Sequence, residues 1–446
     1  MTRSVRVLGR LDPNFAWDGS RIFDRSDFRP EASPPVDLRG AAASVEGGLS
    51  GTWRFLRDPL GINKLFWAGD AEGDILVAAR PYLLIEAGHR FEEIRAIPSG
   101  SVVDLQPDRP SAEKHSLVPS SWFASQGSLG VEVETIAKRI RSTLDSYLSA
   151  FATTLPKAEA FVCLSGGLDS TGIAVLVREH FRNVVAVSFD LRRPGGRVSE
   201  DRRVAERLAR DLDLPLLDVD ATEDQLFELL DTVLMEGIDW RDFNVHTGLV
   251  NAVLARAING AVTGRQSIVF TGDLANEFLA DYEPEQYRGA NYYRLPRLSP
   301  AALRNSLVRG LDTCHREIGV FAAWDLQVVQ PYAVAVDEYL MLGDDFLHSE
   351  NHKRRLCQAI FQDLVPDYVF SRAKVRAQVG SPGTGGGVLA ACVDRGIDGD
   401  WLRRRFAALH DVADLAALNQ FIRAGRYSVA VPSFRDRESG VSQGVE

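Results

Sequence analysis

Between an apolar run and a helical period stands Leu164-Ser165-Gly166-Gly167-Leu168-Asp169-Ser170-Thr171. Its residue types suit the binding of an oxyanion. Two adjacent glycines let the backbone approach a ligand closely, and successive N–H groups at a helix N-terminus form an anion cradle. Ser165, Ser170 and Thr171 add hydroxyl donors. Asp169 in such a cradle would repel a bare phosphate, so its natural partner is a divalent cation bridging to one. The stretch is neither G-x-x-x-x-G-K-[ST] nor G-x-G-x-x-G. The plain alternative is a strand–turn–helix connection in which glycine supplies the turn and Ser or Asp caps the helix.

The elements around it place this loop in an α/β context. Residues 160–164 (Ala-Phe-Val-Cys-Leu) read as a buried strand, and the helix after the glycines runs through Ile173, Val177 and His180. Further strands are expected at 184–189, 216–219 and 268–271, with a helix marked by Val204, Leu208 and Leu212. Alternation of buried strands with helices predicts a parallel sheet. Ile136, Ile140, Leu144, Tyr147, Leu148 and Phe151 follow helical spacing, and beyond Ala301 the patterning is mostly helical. Residues 1–125 instead carry turn formers and short apolar runs such as 75–79 and 82–85, which reads as a small β-rich domain. Residues 107–126 lack periodicity and are predicted to be a linker. The division is therefore 1–125 and 126–446.

Composition removes several classes of function. At 446 residues, 45% hydrophobic and 25% charged, the chain has the ordinary globular balance. No apolar run is long enough to span a membrane, and Arg6 and Arg10 interrupt any secretory apolar core, so a cytoplasmic address is expected. A net charge of −10 argues against a nucleic-acid partner. Cys163, Cys314, Cys357 and Cys392 are scattered without metal-site spacing, which fits a reduced compartment. Only six of the 51 basic residues are Lys (64, 114, 138, 157, 353 and 374), so each lysine is easier to weigh.

Ser165-Gly-Gly-Leu-Asp-Ser170 resembles the S-G-G-x-D-S pyrophosphate loop of the ATP pyrophosphatases, and within them class B asparagine synthetase and β-lactam synthetase. Val187-Ser188-Phe189-Asp190 with Ser199-Glu200-Asp201 is similar to the family's second strand and following helix. The stretch Phe270-Thr-Gly-Asp273-Leu-Ala-Asn276-Glu277, on to Tyr282, is similar to the family's s-G-E-G-A-D-E-x-F-G-G-Y. Leu364-Val-Pro366 and Arg372-Ala-Lys374 are similar to its L-P…R-x-K. Gly51 to Trp67, around Arg57-Asp58-Pro-Leu-Gly61, is similar to the glutaminase signature R-D-x-x-G-x-x-P-L-Y-Y. The glutaminase nucleophile is an N-terminal Cys, whereas position two is Thr2 and no Cys precedes Cys163. The resemblance thus implies a degenerate, inactive N-terminal-nucleophile-type glutaminase domain, followed by a PP-loop (adenine-nucleotide α-hydrolase-like) synthetase domain with helical additions.

The resemblance also implies roles. ATP would be held by Leu164, Ser165, Gly166, Gly167, Asp169, Ser170, Thr171 and Gly272, with Val187, Ser188 and Phe189 cradling the adenine. Mg2+ would be held by Asp169 with Asn276 and Glu277, although Asn276 replaces the family's magnesium Asp with a neutral ligand. Asp273, in place of a family Glu, is a candidate general base or second metal ligand, with a loop Asp capping the next helix as the plain alternative. Lys374 would stabilise the pyrophosphate and the acyl oxyanion, and Glu317 would sit near the base. Residues 380–387 look like a lid, with an inert loop nearly as apt a reading. His246 falls where family members bind the acyl substrate, though a buried, satisfied His is favoured. Gln327, Val329 and Val334 replace charged family residues, which speaks against asparagine as product. The expected activity is adenylation of a small-molecule carboxylate, releasing pyrophosphate, then C–N bond formation with an amine, in specialised or antibiotic metabolism. The alternatives are an asparagine synthetase-like enzyme fed with free or externally supplied ammonia, an RNA-modifying pyrophosphatase, and a non-catalytic nucleotide-binding homologue. A homodimer is the state toward which the resemblance leans.

Overall fold

The structure is a computed structural model of the 446-residue chain. It describes residues 4–23, 25–33, 35, 37–69, 74–106, 113–119, 122, 132–193, 195–263, 266–279, 281, 285–293, 307, 315–372, 378–380, 386–416 and 418. Side-chain alternation builds the N-terminal part. Strands β1 (Val5–Leu8), β2 (Ala43–Gly47), β3 (Trp53–Arg57), β4 (Phe66–Gly69) and β5 (Ile75–Ala78) precede helix α1 (Pro81–Glu86). Then come β6 (Arg95–Ala96), β7 (Ser101–Leu105) and β8 (Glu113–Ser116). They form two four-stranded sheets, ordered β1-β5-β4-β6 and β2-β3-β7-β8. Phe55 packs with Val45, Leu65, Ile75 and Val77 from both sheets, while its neighbour Leu56 joins Val102 and Phe28 on the opposite face. Two sheets sharing one apolar layer make a sandwich.

Two local expectations are corrected here. The run 82–85 is helical, because Pro81 pre-sets the first turn and the buried residues Pro81 and Leu84 are spaced by three. The expected linker contains β8, which pairs with β7 from Ser101↔Ser116 to Asp104↔Glu113. An edge strand of polar residues lacks the apolar alternation by which strands are recognised.

The remainder begins with α2 (Val133–Thr154), which buries Ile136, Ile140, Leu144, Tyr147, Leu148 and Phe151 on one stripe. Next come β9 (Glu159–Cys163), α3 (Leu168–His180), β10 (Val184–Arg192), α4 (Glu200–Asp211) and β11 (Leu216–Thr222). Helices α5 (Leu230–Gly237) and α6 (Asp242–Ala261) lead to β12 (Ser267–Phe270) and the short α7 (Ala275–Leu279). A hairpin of β13 (Glu285–Tyr287) and β14 (Ala290–Tyr292) precedes α8 (His315–Ala322), β15 (Gln327–Val329), α9 (His352–Phe361) and α10 (Val388–Asp394). Five parallel strands form one sheet in the order β11-β10-β9-β12-β15. The chain walks outward from β9 to β11, then returns to the other side of β9 through β12. That reversal leaves a topological switch point between the carboxyl ends of β9 and β12, where open α/β sheets bind ligands. The fold is thus α/β, with a β-rich N-terminal part and helical additions.

Candidate active site

The loop 164–171 lies at that switch point. Leu164 extends the ladder by donating its amide to Val187 O at 2.8 Å. Gly166 then takes φ +73°, where a Cβ would lie 2.8 Å from Val204. Gly167 caps α3 without any side-chain hydrogen bond, so the first-turn N–H groups keep no side-chain acceptor at the cap. The hydroxyls organise the loop itself: Ser165 Oγ lies 3.0 Å from Ser170 Oγ, and Thr171 Oγ1 donates to Gly167 O at 2.7 Å. From the neighbouring strand, Gly272 packs so closely that a Cβ would sit 2.6 Å from Ser170 N. Only glycine permits the two loops to touch in this way.

On the β10 side, Val187 and Ser188 are buried and Phe189 is half-buried. Phe189 lines a small cleft with Asp190, Ser199, Asp201, Gly386 and Gly387. Arg372 closes the ring from the far side. It bonds Asp201 and lies 3.6 Å from Glu200, and its Nη1 is 3.2 Å from where a Cβ on Gly166 would stand. Burial raises the Asp201 carboxyl pKa against the pull of Arg372.

Asp169 is where the structure departs most from expectation. Its Oδ2 accepts a 2.5 Å hydrogen bond from Lys353 Nζ on α9, and the same ammonium donates to Asn276 Oδ1 and lies 3.7 Å from Asp281. Burial alone would lower the Lys353 pKa, but Asp169 and Asp281 outweigh it and hold the pKa above the usual lysine range. Asp169 Oδ1 is buried with no hydrogen-bond partner. Glu277 faces Arg316, at 3.5 Å. The residues expected to hold Mg2+ are therefore not gathered round one opening: two meet on an ammonium and the third meets a guanidinium. As arranged, Asp169, Asn276 and Glu277 do not fit a common magnesium ion. Among the described residues, the one trio of His, Cys, Asp and Glu ligand atoms mutually within 4.8 Å is Asp145, Glu179 and His180, on α2 and α3.

A second polar chain runs along α8. Arg316 reaches Asp273 Oδ2 at 3.1 Å and Asn244 Oδ1 at 3.0 Å, and Asn244 in turn donates to Asp239. Burial raises the Asp273 carboxyl, Arg316 opposes this, and the charges of Glu277 and Asp169 push it further up. A carboxylate with a raised pKa, 28% exposed beside the loop, suits proton abstraction. Glu317 does something else. Its Oε2 accepts from Thr271 Oγ1 at 3.0 Å and from Gln330 Nε2, so it ties the ends of β12 and β15 together. Lys374 and residues 381–385 lie outside the described residues. His246 is buried with Nδ1 2.5 Å from the Tyr293 hydroxyl, while Nε2 has no partner. Burial lowers its pKa to about 4.

Two site residues escaped the sequence reading, Lys353 and Arg316. For Lys353 a signal existed: with Leu356, Cys357 and Ile360 it occupies the buried stripe of α9, where a lysine needs a counter-charge. Arg316 carries no such mark, because arginine is abundant along this chain.

Residues 156–330 match the family of asparagine synthase, and by that match this stretch is an asparagine synthase domain. At the level of the family, the match over 156–330 supports an ATP-using, amide-forming ligase. Among solved structures, the NMN synthetase from Francisella tularensis is 13% identical over 67% of this chain and 99% of its own, with a TM-score of 0.32. The NH3-dependent NAD synthetase from Campylobacter jejuni is 15% identical over 34% and 61%, with a TM-score of 0.24. A U34-tRNA thiolase from Methanococcus maripaludis is 11% identical over 58% and 87%, with a TM-score of 0.28. No curated protein matches the chain.

Proposed function

We propose that this chain adenylates a small-molecule carboxylate and joins the acyl group to an amine carried by a substrate. The supporting observation is the loop 165–171, set at the switch point of an asparagine synthase domain with Asp273 beside it. A carboxylate is a poor electrophile. Its oxygen attacks the α-phosphorus of ATP, the bond to pyrophosphate breaks, and a mixed anhydride results. The N–H groups at the start of α3 would stabilise the charge that develops on the departing phosphates. The amine nitrogen then attacks the acyl carbon, the acyl C–O bond breaks to release AMP, and the amine proton passes to the Asp273 carboxylate.

A substrate-borne amine, rather than ammonia from glutamine, fits what the glutaminase-like signature does here. Arg57 donates to the carbonyls of Asn63, Ile97 and Gly61, and Asp58 accepts from the amides of Ala42, Ile62 and Asn63. Both side chains are fully buried in the service of their own fold. Specialised metabolism is the setting we favour for such a synthetase.

The test is incubation of the protein with ATP, magnesium and a carboxylate library, followed by identification of the nucleotide released. AMP with pyrophosphate, lost in Asp169→Ala, is the expected result. ADP with phosphate would overturn the proposal, and ATP binding without turnover across the library would favour a non-catalytic homologue.

A further inference from the structure

Asp169 and Asn276 present their oxygens to one point, and that point holds the Lys353 ammonium. A bound magnesium ion sits about 2.1 Å from its oxygen ligands. An ammonium 2.5 Å from Asp169 Oδ2 therefore occupies the space such an ion would need. We infer that Lys353 is a resident cation which takes the place of a protein-held divalent ion between Asp169 and Asn276, so that the nucleotide-free chain binds no metal there.

Three further observations carry this. Position 276 is an amide, so Asp169 and Asp281 are the carboxylates against the ammonium, and a neutral Asn oxygen suits a lysine as well as it weakens a metal site. Lys353 is only 8% exposed, which ties the ammonium to these partners rather than to water. Its backbone is held too. His352 Nε2 lies 3.1 Å from Leu279 O at the end of α7, the helix that carries Asn276, and the ring of Phe361 on α9 abuts Gly172 of α3. Helices α3, α7 and α9 thus hold Asp169, Asn276 and Lys353 in one fixed triangle. As a corollary, which rests on the proposed function, any divalent ion at the reaction centre arrives on the phosphates of ATP.

The test is titration of the full chain with Mn2+ alone, with bound ion counted by electron paramagnetic resonance and folding followed by thermal denaturation. Asp145→Asn is present throughout to silence the outer trio. We expect this background and its Lys353→Arg derivative to bind no Mn2+ that Asp169→Ala removes. The Lys353→Met/Asn276→Asp pair, which withdraws the cation and restores a carboxylate, is expected to gain one site at least tenfold tighter than anything in the background. A site in the background protein that Asp169→Ala abolishes would overturn the inference, and this comparison does not need the double variant to fold. A folded double variant that gains no site would overturn it as well. No nucleotide is present, so failure here leaves the adenylation proposal standing, and failure of adenylation leaves this titration unaffected.

Discussion

Asp273 and Arg316 form the pair on which the proposed amide-forming step turns, and their chemistry predicts how activity responds to pH. The reactive form of Asp273 is the carboxylate, and burial with the charges of Glu277 and Asp169 raises its pKa. Amide formation should therefore fall as pH drops through a value above the ordinary carboxylate range. Arg316 favours the charged form. Arg316→Met should then move the acidic limb of the kcat/KM profile to higher pH, whereas a purely structural arginine would leave its position unchanged. Asp273→Asn should slow amide formation by about 10²–10⁴-fold, the usual worth of a positioned acid–base group, while ATP–pyrophosphate exchange persists. Equal loss of both activities would assign Asp273 to the adenylation step instead.

His246 allows a stability prediction at the same scale. Unfolded, the imidazole takes a proton near its ordinary value of 6.5; folded, burial delays this to about 4. Between those values the unfolded chain binds more protons, so stability is lost as pH falls from 6.5 toward 4. The contribution is about 3 kcal/mol. His246→Gln should flatten the pH dependence of urea unfolding in that window, and an unchanged slope would show that the imidazole titrates in the folded state.

At the scale of elements, the site depends on how closely loops and helices approach. Gly272 places the β12 loop on the backbone of Asp169 and Ser170, where a Cβ would stand 2.7 Å from Asp169 C. The atoms it would meet belong to the main chain and cannot swing aside, so Gly272→Ala must part the two loops. A cost of about 1–3 kcal/mol is expected, as for other overpacked sites. Nucleotide affinity should fall together with the melting temperature. A variant that melts early but binds ATP normally would show that the contact serves the fold alone. Gly172 does the equivalent for α3, whose Cα at that position faces the ring of Phe361.

Across the whole molecule, the N-terminal sandwich is bound to the parallel-sheet part through buried charge. Arg80 makes a two-pronged contact with Asp12, at 2.7 and 2.9 Å, and also reaches Glu236 at the end of α5 with 2.8 Å. Tyr82 adds a hydroxyl to the same Glu236. Helix α5 packs on α8, which presents Arg316 and Glu317 to the site. Arg80→Ala would leave Asp12 buried without its partner and should lower the unfolding free energy by about 3–5 kcal/mol, read by denaturant titration. The milder Glu236→Gln, which keeps a hydrogen-bond acceptor, should cost less.

The local sequence encodes whatever rests on neighbouring residues. The glycines and hydroxyls of 165–171, the buried strand before them and the helix after them depend on contacts within a few positions, and β9, β10, β11 and β12 follow from short apolar runs. The proposal that this loop holds ATP starts from the same neighbouring residues. The run 82–85 and the polar strand β8 were misread because a short apolar run suits helix or strand alike, and an edge strand shows no apolar face. What stands beside Asp169 is set by packing between distant helices. Lys353 is 184 residues away in sequence, and Arg316 is 43 residues from Asp273. No local spacing encodes such pairs; they follow from the packing of α9 against α3 and of α8 against α6. Glu317, read from a resemblance as a partner of the base, proved to clamp two strand ends, because its environment was set by Thr271 and Gln330 rather than by its neighbours in the chain. Long-range charge pairing is fixed by which helices share a face, and that is a property of the assembled sheet.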